Sequence, residues 1–308
     1  MQFAQPEYPT EQIVQVKNYR RIEELIPTHW SEQYIEANSI KQHLYRTGGQ
    51  KPQLVLLHGF EECAICWLQI AKTLEQDYDL IMIDARGHGL SDRAASGFSP
   101  HQLSEDVASL LRMLKLDRPH ILGFSLGADT AIRLAVTYPE LVSTIIVSGA
   151  NDKAPQAENF VNSPGYQAWY QAFVEYLKTL KTQNHEERMI SSLRLVPPGV
   201  PLPAEDQYVP MVEGYAHIDL KLVIQSDVLW SLVSKKYEET RQLQAQLTCP
   251  VLLMYSESFP TSDAEVTLRE EPAERPNERI VRFVNAGHLI YREHAEQFIK
   301  VVKSFLAS

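Results

Sequence analysis

The sequence predicts an α/β protein built on a mostly parallel, doubly wound sheet, with a helical lid inserted between two of the strands. Two observations support this prediction. Short apolar runs, typical of strands buried on both faces of a parallel sheet, alternate with longer stretches of helical periodicity. The alternation breaks once, between about Asn151 and Gln246, and resumes at Cys249-Pro250.

The strands are predicted from the apolar runs. Residues 33–37 and 41–47, joined at Asn38-Ser39, predict a β-hairpin. Further short runs then predict strands buried within the sheet. They lie at residues 54–57, 80–83, 120–122, 145–148, 251–255 and 280–284.

The helices are predicted from their start and stop signals. Ser99-Pro100 places a capping residue before a proline at the first helical position, which predicts a helix to about residue 114. A second helix is predicted from Leu126 to about residue 138, where Pro139 stops it. A third is predicted from Glu293 to about residue 306.

The pattern divides the chain into a core and two additions. Residues 1–32 are expected to form an N-terminal extension, and residues 33–150 with 248–308 the α/β core. Residues 151–247 carry helical, aromatic-rich patches and the proline-rich VPPGVPLP. We interpret them as a lid inserted into one sheet and not as an independent domain.

Composition and charge narrow the class of protein. The 308 residues include 39 acidic and 29 basic side chains, a formal net charge of −10 at pH 7. This balance disfavours nucleic-acid and membrane-surface partners, which require clustered Lys and Arg. An N-terminus without an apolar core and the lack of a long apolar run favour a cytoplasmic protein. The expected partner is a small-molecule substrate, and the oligomeric state is left open.

The strongest chemical signal is GFSLG, residues 123–127. A predicted strand enters this segment and a predicted helix leaves it, as a nucleophile elbow requires. Glycines flank Ser125 because side chains at their positions would collide in so sharp a turn. The turn presents the Ser125 hydroxyl and puts a helix N-terminus beneath it, where developing negative charge is stabilised.

With this elbow, the segment LLHGF at residues 56–60 completes a resemblance to the α/β-hydrolase superfamily. The resemblance covers roughly residues 33–308 and implies a lidded fold with a serine nucleophile. It also implies an oxyanion hole formed by the backbone N–H groups of Phe60 and Leu126. Aspartate-nucleophile relatives are disfavoured because the elbow carries Ser125.

The predicted general base is His288 in NAGHLIYREHAEQF, residues 285–298. It follows the last predicted strand and occupies the position of the family's Gly-His pair. Imidazole has a pKa suited to taking a proton from a serine near neutral pH. A second segment that the family shares, DARGHGLSD at residues 84–92, is expected to brace the elbow, so His88 is assigned structure.

The third member of the triad is less clearly marked. In the family the acid usually follows the strand before the last, but Phe259 occupies that position here. Asp263 is the preferred replacement, with Glu257, Asp152 or no acid at all as alternatives. Its task would be to hold the imidazole tautomer and stabilise the imidazolium.

Other features receive structural or secondary interpretations. Cys63 and Cys66 form a C-x-x-C without accompanying metal ligands, so packing is expected and neither a metal nor a cofactor is predicted. Glu61 and Glu62 either disfavour anionic substrates or are solvated acids at a helix start. The candidates for an aromatic substrate pocket are the lid residues Trp169, Tyr170, Phe173 and Trp230.

These observations predict a serine hydrolase that acts through an acyl-enzyme on a small, largely apolar ester, lactone or amide. The resemblance implies a carboxylesterase-like enzyme. The alternatives are a non-catalytic ligand-binding protein on the same scaffold, and a C–C bond hydrolase or an acyltransferase with the same Ser-His pair.

Overall fold

A computed structural model describes residues 8–93, 98–149, 164–196, 200–224, 239–256 and 265–308. These residues form one nine-stranded sheet. In chain order the strands are β1 (Ser31–Ala37), β2 (Ile40–Arg46), β3 (Gln53–Leu57), β4 (Asp79–Ile83), β5 (His120–Phe124), β6 (Thr144–Ser148), β7 (Val251–Ser256), β8 (Thr267–Glu271) and β9 (Glu278–Val284).

The sheet is parallel in its centre and antiparallel at both edges. Its order is β1-β2-β4-β3-β5-β6-β7-β9-β8. The β1–β2 hairpin pairs antiparallel with β4, the strands from β4 to β9 pair parallel, and β8 returns antiparallel on β9. The carboxyl ends of the parallel strands therefore meet at one edge of the sheet, where α/β proteins bind their ligands.

Helices cover both faces of the sheet, and several of them follow β6 in the chain. They are α1 (Thr10–Lys17), α2 (Ile22–Leu25), α3 (Leu68–Leu74), α4 (Pro100–Met113), α5 (Leu126–Thr137), α6 (Pro164–Thr182), α7 (His185–Ser191), α8 (Glu205–His217), α9 (Leu220–Ile224), α10 (Ile290–Glu293) and α11 (Ala295–Leu306). Two apolar cores result, one on each face, because successive residues of the central strands point to opposite sides. None of the helices in the described ranges is both long and apolar enough to cross a membrane.

Helices α6 to α9 lie in the chain between two strands that are direct neighbours. Strand β6 pairs with β7 in parallel, with Ile145 opposite Val251. The sheet therefore continues past the helical segment without a gap. That these helices form a lid, with the predicted boundaries, stays a prediction.

The N-terminal segment packs on these inserted helices. Val16 of α1 is fully buried, and the Tyr19 hydroxyl donates to the carbonyl of Pro203 at 2.7 Å. The ring of Tyr19 meets that of Tyr208 edge-on, with 5.6 Å between centroids. Arg20 pairs with Glu205 at the start of α8. These contacts attach the extension to the inserted segment.

The predicted strands and helices are present with small shifts at their ends. The predicted last helix corresponds to α11, and the short helix α10 precedes it, with His294 between the two in a non-helical conformation. Strand β8 was not predicted. Its sequence TLREE offers no apolar alternation, since most of its residues are exposed and its Arg and Glu side chains form ion pairs.

Candidate active site

The turn around Ser125 has the backbone geometry of a nucleophile elbow. Ser125 lies between β5 and α5 with φ 51° and ψ −109°, which is strained for a residue with a side chain. Its N–H donates to the carbonyl of Ser148 at 2.8 Å, which ties the turn to the end of β6. Helix α5 starts at the next residue, so its N-terminus lies directly at the serine.

The flanking glycines are required by close backbone contacts. A Cβ atom at Gly123 would lie 2.1 Å from the carbonyl oxygen of Gly127. A Cβ atom at Gly127 would lie 2.0 Å from the carbonyl oxygen of Leu57, at the end of β3. A side chain at Gly123 would therefore disrupt the turn itself, and one at Gly127 would push the elbow away from β3.

The turn after β3, residues 58–60, lies beside the elbow and is called the oxyanion turn below. In the described part of the chain, the N–H groups of Phe60 and Leu126 donate to no protein acceptor. His58 Nδ1 faces the carbonyl of Gly59 at 2.7 Å, and His58 Nε2 accepts from the N–H of Ala85 at 3.0 Å. Nδ1 therefore carries the proton and donates it to Gly59, while Nε2 acts as the acceptor. Through these two contacts the ring links the oxyanion turn to the segment that begins at Ala85.

His88 is buried next to this turn. Its ring nitrogens face the carbonyls of Arg86 and Phe60, and burial lowers its pKa to about 4. The neighbouring Asp84 accepts from the N–H groups of Ala64 and Leu90 and from His43. Residues 84–92 therefore contact the oxyanion turn through hydrogen bonds to His58 and Phe60, which fits the structural role predicted for His88.

His288 follows β9 and lies at the same edge of the sheet as Ser125. Its ring packs against Phe124, the residue before Ser125, with 4.9 Å between centroids. Its Cε1 atom would lie 3.0 Å from a Cβ atom at Gly149, the residue after β6. The fold thus brings the predicted base to the strand end that holds the elbow.

His288 is exposed as a whole residue, but its ring is partly buried by packing against Phe124. This burial lowers the pKa of His288, and the carboxylate of Glu62 partly offsets it by favouring the charged ring. The ring is therefore more readily neutral, and so ready to accept a proton, than a histidine in water.

The candidate triad acids Asp263, Glu257 and Asp152 lie outside the described residues, as does Phe259. Within the described ranges, no carboxylate makes a hydrogen bond to His288. Among the described residues, the carboxylate of Glu62 acts on the charge of His288.

Glu62 is the residue of the site that the sequence did not indicate. Its side chain is buried, whereas a solvated position at a helix start was one of its predicted states. The carboxylate accepts from the N–H of Gly59 at 2.9 Å, the hydroxyl of Tyr291 at 2.5 Å and the guanidinium of Arg292 at 2.7 Å. The donors come from segments more than 200 residues apart, so no local motif could have identified the cluster.

Apolar side chains of the inserted helices meet the oxyanion turn. The side chain of Phe60 packs on a cluster formed mainly by α6, α8 and α9, including Phe173 and Leu177. Tyr170 also packs on this cluster, and Trp169 stacks on Phe173 at 5.4 Å with 52% of its surface exposed. Trp230 lies outside the described residues.

Cys63 and Cys66 pack against α8. Their sulfur atoms are 3.8 Å apart without a disulfide, both side chains are buried, and the Cys66 thiol lies 3.4 Å from the carbonyl of Pro210. The hydrogen bond to Cys66 and burial raise the pKa of the Cys63 thiol. This environment favours a neutral, unreactive Cys63 thiol.

Comparison with known proteins supports the fold. Residues 52–295 match the alpha/beta hydrolase fold family. The chain is 23% identical over 269 residues to the 2-(acetamidomethylene)succinate hydrolase of Mesorhizobium japonicum, covering 85% of this chain and 90% of that one. It is 36% identical over 102 residues to the N-formylmaleamate deformylase of Pseudomonas putida, covering 33% and 38%.

Solved structures share the fold at low sequence identity. The N-formylmaleamic acid deformylase of Pseudomonas putida superposes with a TM-score of 0.67 at 20% identity, covering 88% of this chain and all of the other. A carboxylesterase of Bacillus subtilis superposes with a TM-score of 0.61 at 19% identity, covering 96% of each chain. The chain belongs to the α/β-hydrolase family, whose members among these relatives are hydrolytic enzymes.

Proposed function

We propose that the protein is a serine hydrolase with Ser125 as nucleophile and His288 as general base. One observation carries the proposal. Ser125 has the strained backbone of an elbow at a helix N-terminus, and the imidazole of His288 packs on the adjacent Phe124. A nucleophile, a base with lowered pKa and two neighbouring backbone donors are the parts that acyl transfer needs.

The reaction proceeds in two halves. Ser125 Oγ attacks the substrate carbonyl carbon while His288 takes the hydroxyl proton, and the N–H groups of Phe60 and Leu126 hold the oxyanion. The tetrahedral adduct collapses, and the leaving alcohol or amine takes the proton from His288. Water then attacks the acyl-enzyme, giving one proton to His288, and the acid product leaves as Ser125 regains that proton.

The proposed substrate is a small, largely apolar ester, lactone or amide. The apolar cluster that includes Phe60 and Phe173 borders the oxyanion turn, which supports an apolar group on the substrate. Two relatives are named for hydrolysis of an acetamidomethylene compound and for deformylation, which makes an amide as reasonable as an ester. Trp169 and Trp230 are proposed as further pocket residues.

Labelling with a fluorophosphonate tests the Ser-His pair without knowledge of the substrate. The serine oxygen bonds to phosphorus and fluoride leaves, so intact mass reports one adduct per activated serine. We expect one adduct on the wild type and none on Ser125→Ala or His288→Ala. Ser31→Ala and His101→Ala, at exposed positions, should label like the wild type. A labelled Ser125→Ala variant would contradict the proposal.

The proposed triad acid is Asp263. We expect Asp263→Asn to lower the labelling rate far more than Glu257→Gln or Asp152→Asn, because loss of the acid allows the wrong imidazole tautomer. The same second-order rate constants, measured at pH 8, compare the three variants. Equal and small effects would exclude Asp263 from this role.

A further inference from the structure

Glu62 connects two catalytic segments that are distant in sequence. Its Oε2 atom accepts from the N–H of Gly59 within the oxyanion turn at 2.9 Å. Its Oε1 atom accepts from Tyr291 and Arg292, both on α10, the helix that follows His288. One buried carboxylate thus takes hydrogen bonds from both sides of the site.

The rings around Phe124 extend this connection to the elbow. Phe124 lies 5.0 Å from the Tyr291 ring and 4.9 Å from the His288 ring, between centroids. A Cβ atom at Gly59 would lie 3.0 Å from both Phe124 and Glu62 Oε2. Movement of Glu62 would therefore shift the oxyanion turn, Phe124 and the start of α10 together.

Both a positive charge, from Arg292, and a second carboxyl group, from Glu61, lie near the Glu62 carboxylate. Arg292 is buried beside it and balances its charge, and the Arg292 guanidinium also contacts the Tyr291 hydroxyl at 3.1 Å. A buried carboxylate with three donors stays in place, because losing any of them leaves a polar group without a partner. In the described ranges, the titratable groups that face Glu62 or His288 include Glu61, Cys66, Tyr215, Tyr291, Arg292 and Glu293, whose carboxylate lies beside Gly287.

We propose that Glu62 is a positioning residue, which fixes the oxyanion turn relative to α10 and places a negative charge near the imidazolium formed during catalysis. This inference rests on the proposed Ser125–His288 chemistry. The role differs from that of a triad acid, since Glu62 is bonded to Gly59, Tyr291 and Arg292 and acts on His288 through its charge.

The test is the pH dependence of fluorophosphonate labelling for the wild type, Glu62→Gln and Glu62→Asp. Glu62→Gln removes the charge and leaves Arg292 uncompensated, and both effects favour neutral His288. We expect the plateau rate constant to fall about tenfold to a hundredfold and the acid limb to move to lower pH by roughly half a unit or more. Glu62→Asp should keep the wild-type acid limb even where its plateau rate is lower.

Two outcomes would overturn the proposal. One is a Glu62→Gln variant within twofold of the wild-type plateau rate. The other is a lower rate with an unmoved acid limb, which a merely structural role would produce. Glu75→Gln is the matched control, because Glu75 also accepts a side-chain hydrogen bond, from Trp30 at 2.6 Å, and lies outside the catalytic cluster. Glu75→Gln should have the same acid limb and the same plateau labelling rate as the wild type.

Two further variants keep the test decisive. If Glu62→Gln does not fold, as judged by circular dichroism, Tyr291→Phe removes one donor and keeps the carboxylate. We then expect a several-fold lower plateau rate, which tests the positioning part of the proposal, and a wild-type rate would overturn that part. Ser125→Ala in the same assay separates failure of the proposed function from failure of the role of Glu62. If Ser125→Ala is labelled, the proposed function is rejected. If Ser125→Ala is not labelled but Glu62→Gln is labelled like the wild type, only the role of Glu62 is rejected.

Discussion

The imidazole of His288 packs against the ring of Phe124, the residue directly before Ser125, with 4.9 Å between the ring centroids. The proposed general base therefore has an apolar contact with the same turn that carries the proposed nucleophile. Gly149 lies directly against both rings, because a Cβ atom there would lie 2.6 Å from Phe124 and 3.0 Å from His288 Cε1. We expect these ring contacts to set the distance between His288 and Ser125.

Gly149→Ala is expected to impair catalysis. The residue has φ 69°, and the added methyl group would displace the rings of both Phe124 and His288. We expect fluorophosphonate labelling to slow about tenfold or more and the free energy of unfolding to fall by roughly 1–2 kcal/mol.

Gly165→Ala is the control for this substitution. Gly165 lies in α6, and a Cβ atom there would meet nothing within 4 Å. That variant should label normally and be as stable as the wild type or slightly more so. A Gly149→Ala variant that labels at the wild-type rate would show that the ring contacts do not set the position of His288.

The acid limb of the labelling reaction is expected below pH 6.5. Burial lowers the pKa of His288 from its ordinary value of 6.5, so the base stays neutral to a lower pH than a solvent-exposed histidine. The measurement is the second-order labelling rate constant between pH 4.5 and 9, with circular dichroism at each pH. A midpoint above 6.5 in folded protein would contradict this prediction.

Glu61 is expected to make the fold less stable at alkaline pH. Burial, followed by the charge of Glu62, raises the pKa of Glu61 to about 7, so the folded state favours its protonated form. Stability from this group is present below its unfolded pKa of about 4.5 and is lost as the pH rises through 7. Glu61→Gln should therefore be more stable than the wild type at pH 8 and similarly stable at pH 5. We expect a difference of only about 1–2 kcal/mol at pH 8, because solvent reaches the side chain and screens its charge.

Urea unfolding at the two pH values measures this difference. Glu140→Gln, at an exposed position, is the control and should change stability little and equally at both. If Glu61→Gln had the same effect at pH 5 and pH 8, the carboxyl group would titrate alike in the folded and unfolded chain.

The N-terminal extension is expected to contribute to global stability. Val16 is fully buried against the inserted helices, whereas Val14 on the same helix is 50% exposed. Val16→Ala should lower the free energy of unfolding by about 1–2 kcal/mol, and Val14→Ala by less than about 0.5 kcal/mol. Urea unfolding compares the two variants. Equal effects would mean that the extension detaches before the rest of the chain unfolds.

Periodicity and turn chemistry predicted the central sheet and the residues around the elbow. Apolar runs such as residues 145–148 are buried on both faces, so their pattern is independent of partners far away in sequence. The elbow was predictable because its sharp turn leaves no room for a side chain at Gly123, whose Cβ atom would meet the carbonyl oxygen of Gly127 in the same short motif.

Features that depend on distant partners could not be predicted. Glu62 reads as an ordinary acid at a helix start, and its burial depends on donors from Tyr291 and Arg292. Strand β8 lacks an apolar pattern because pairing with β9 and ion pairs such as Glu271–Arg282 hold it. Asp263, Glu257, Asp152 and Trp230 lie outside the described residues, so their roles stay predictions.

The pairing of β6 with β7 has a consequence for synthesis of the chain. The two neighbours are separated in sequence by the whole inserted segment, so this pairing has a high contact order and is slow to form. Strands β1 to β6, with Ser125, leave the ribosome first, and β9 with His288 leaves last. The nascent chain therefore carries the proposed nucleophile Ser125 before the proposed base His288 has been made, so the proposed pair can form only when the later strands add to the growing sheet.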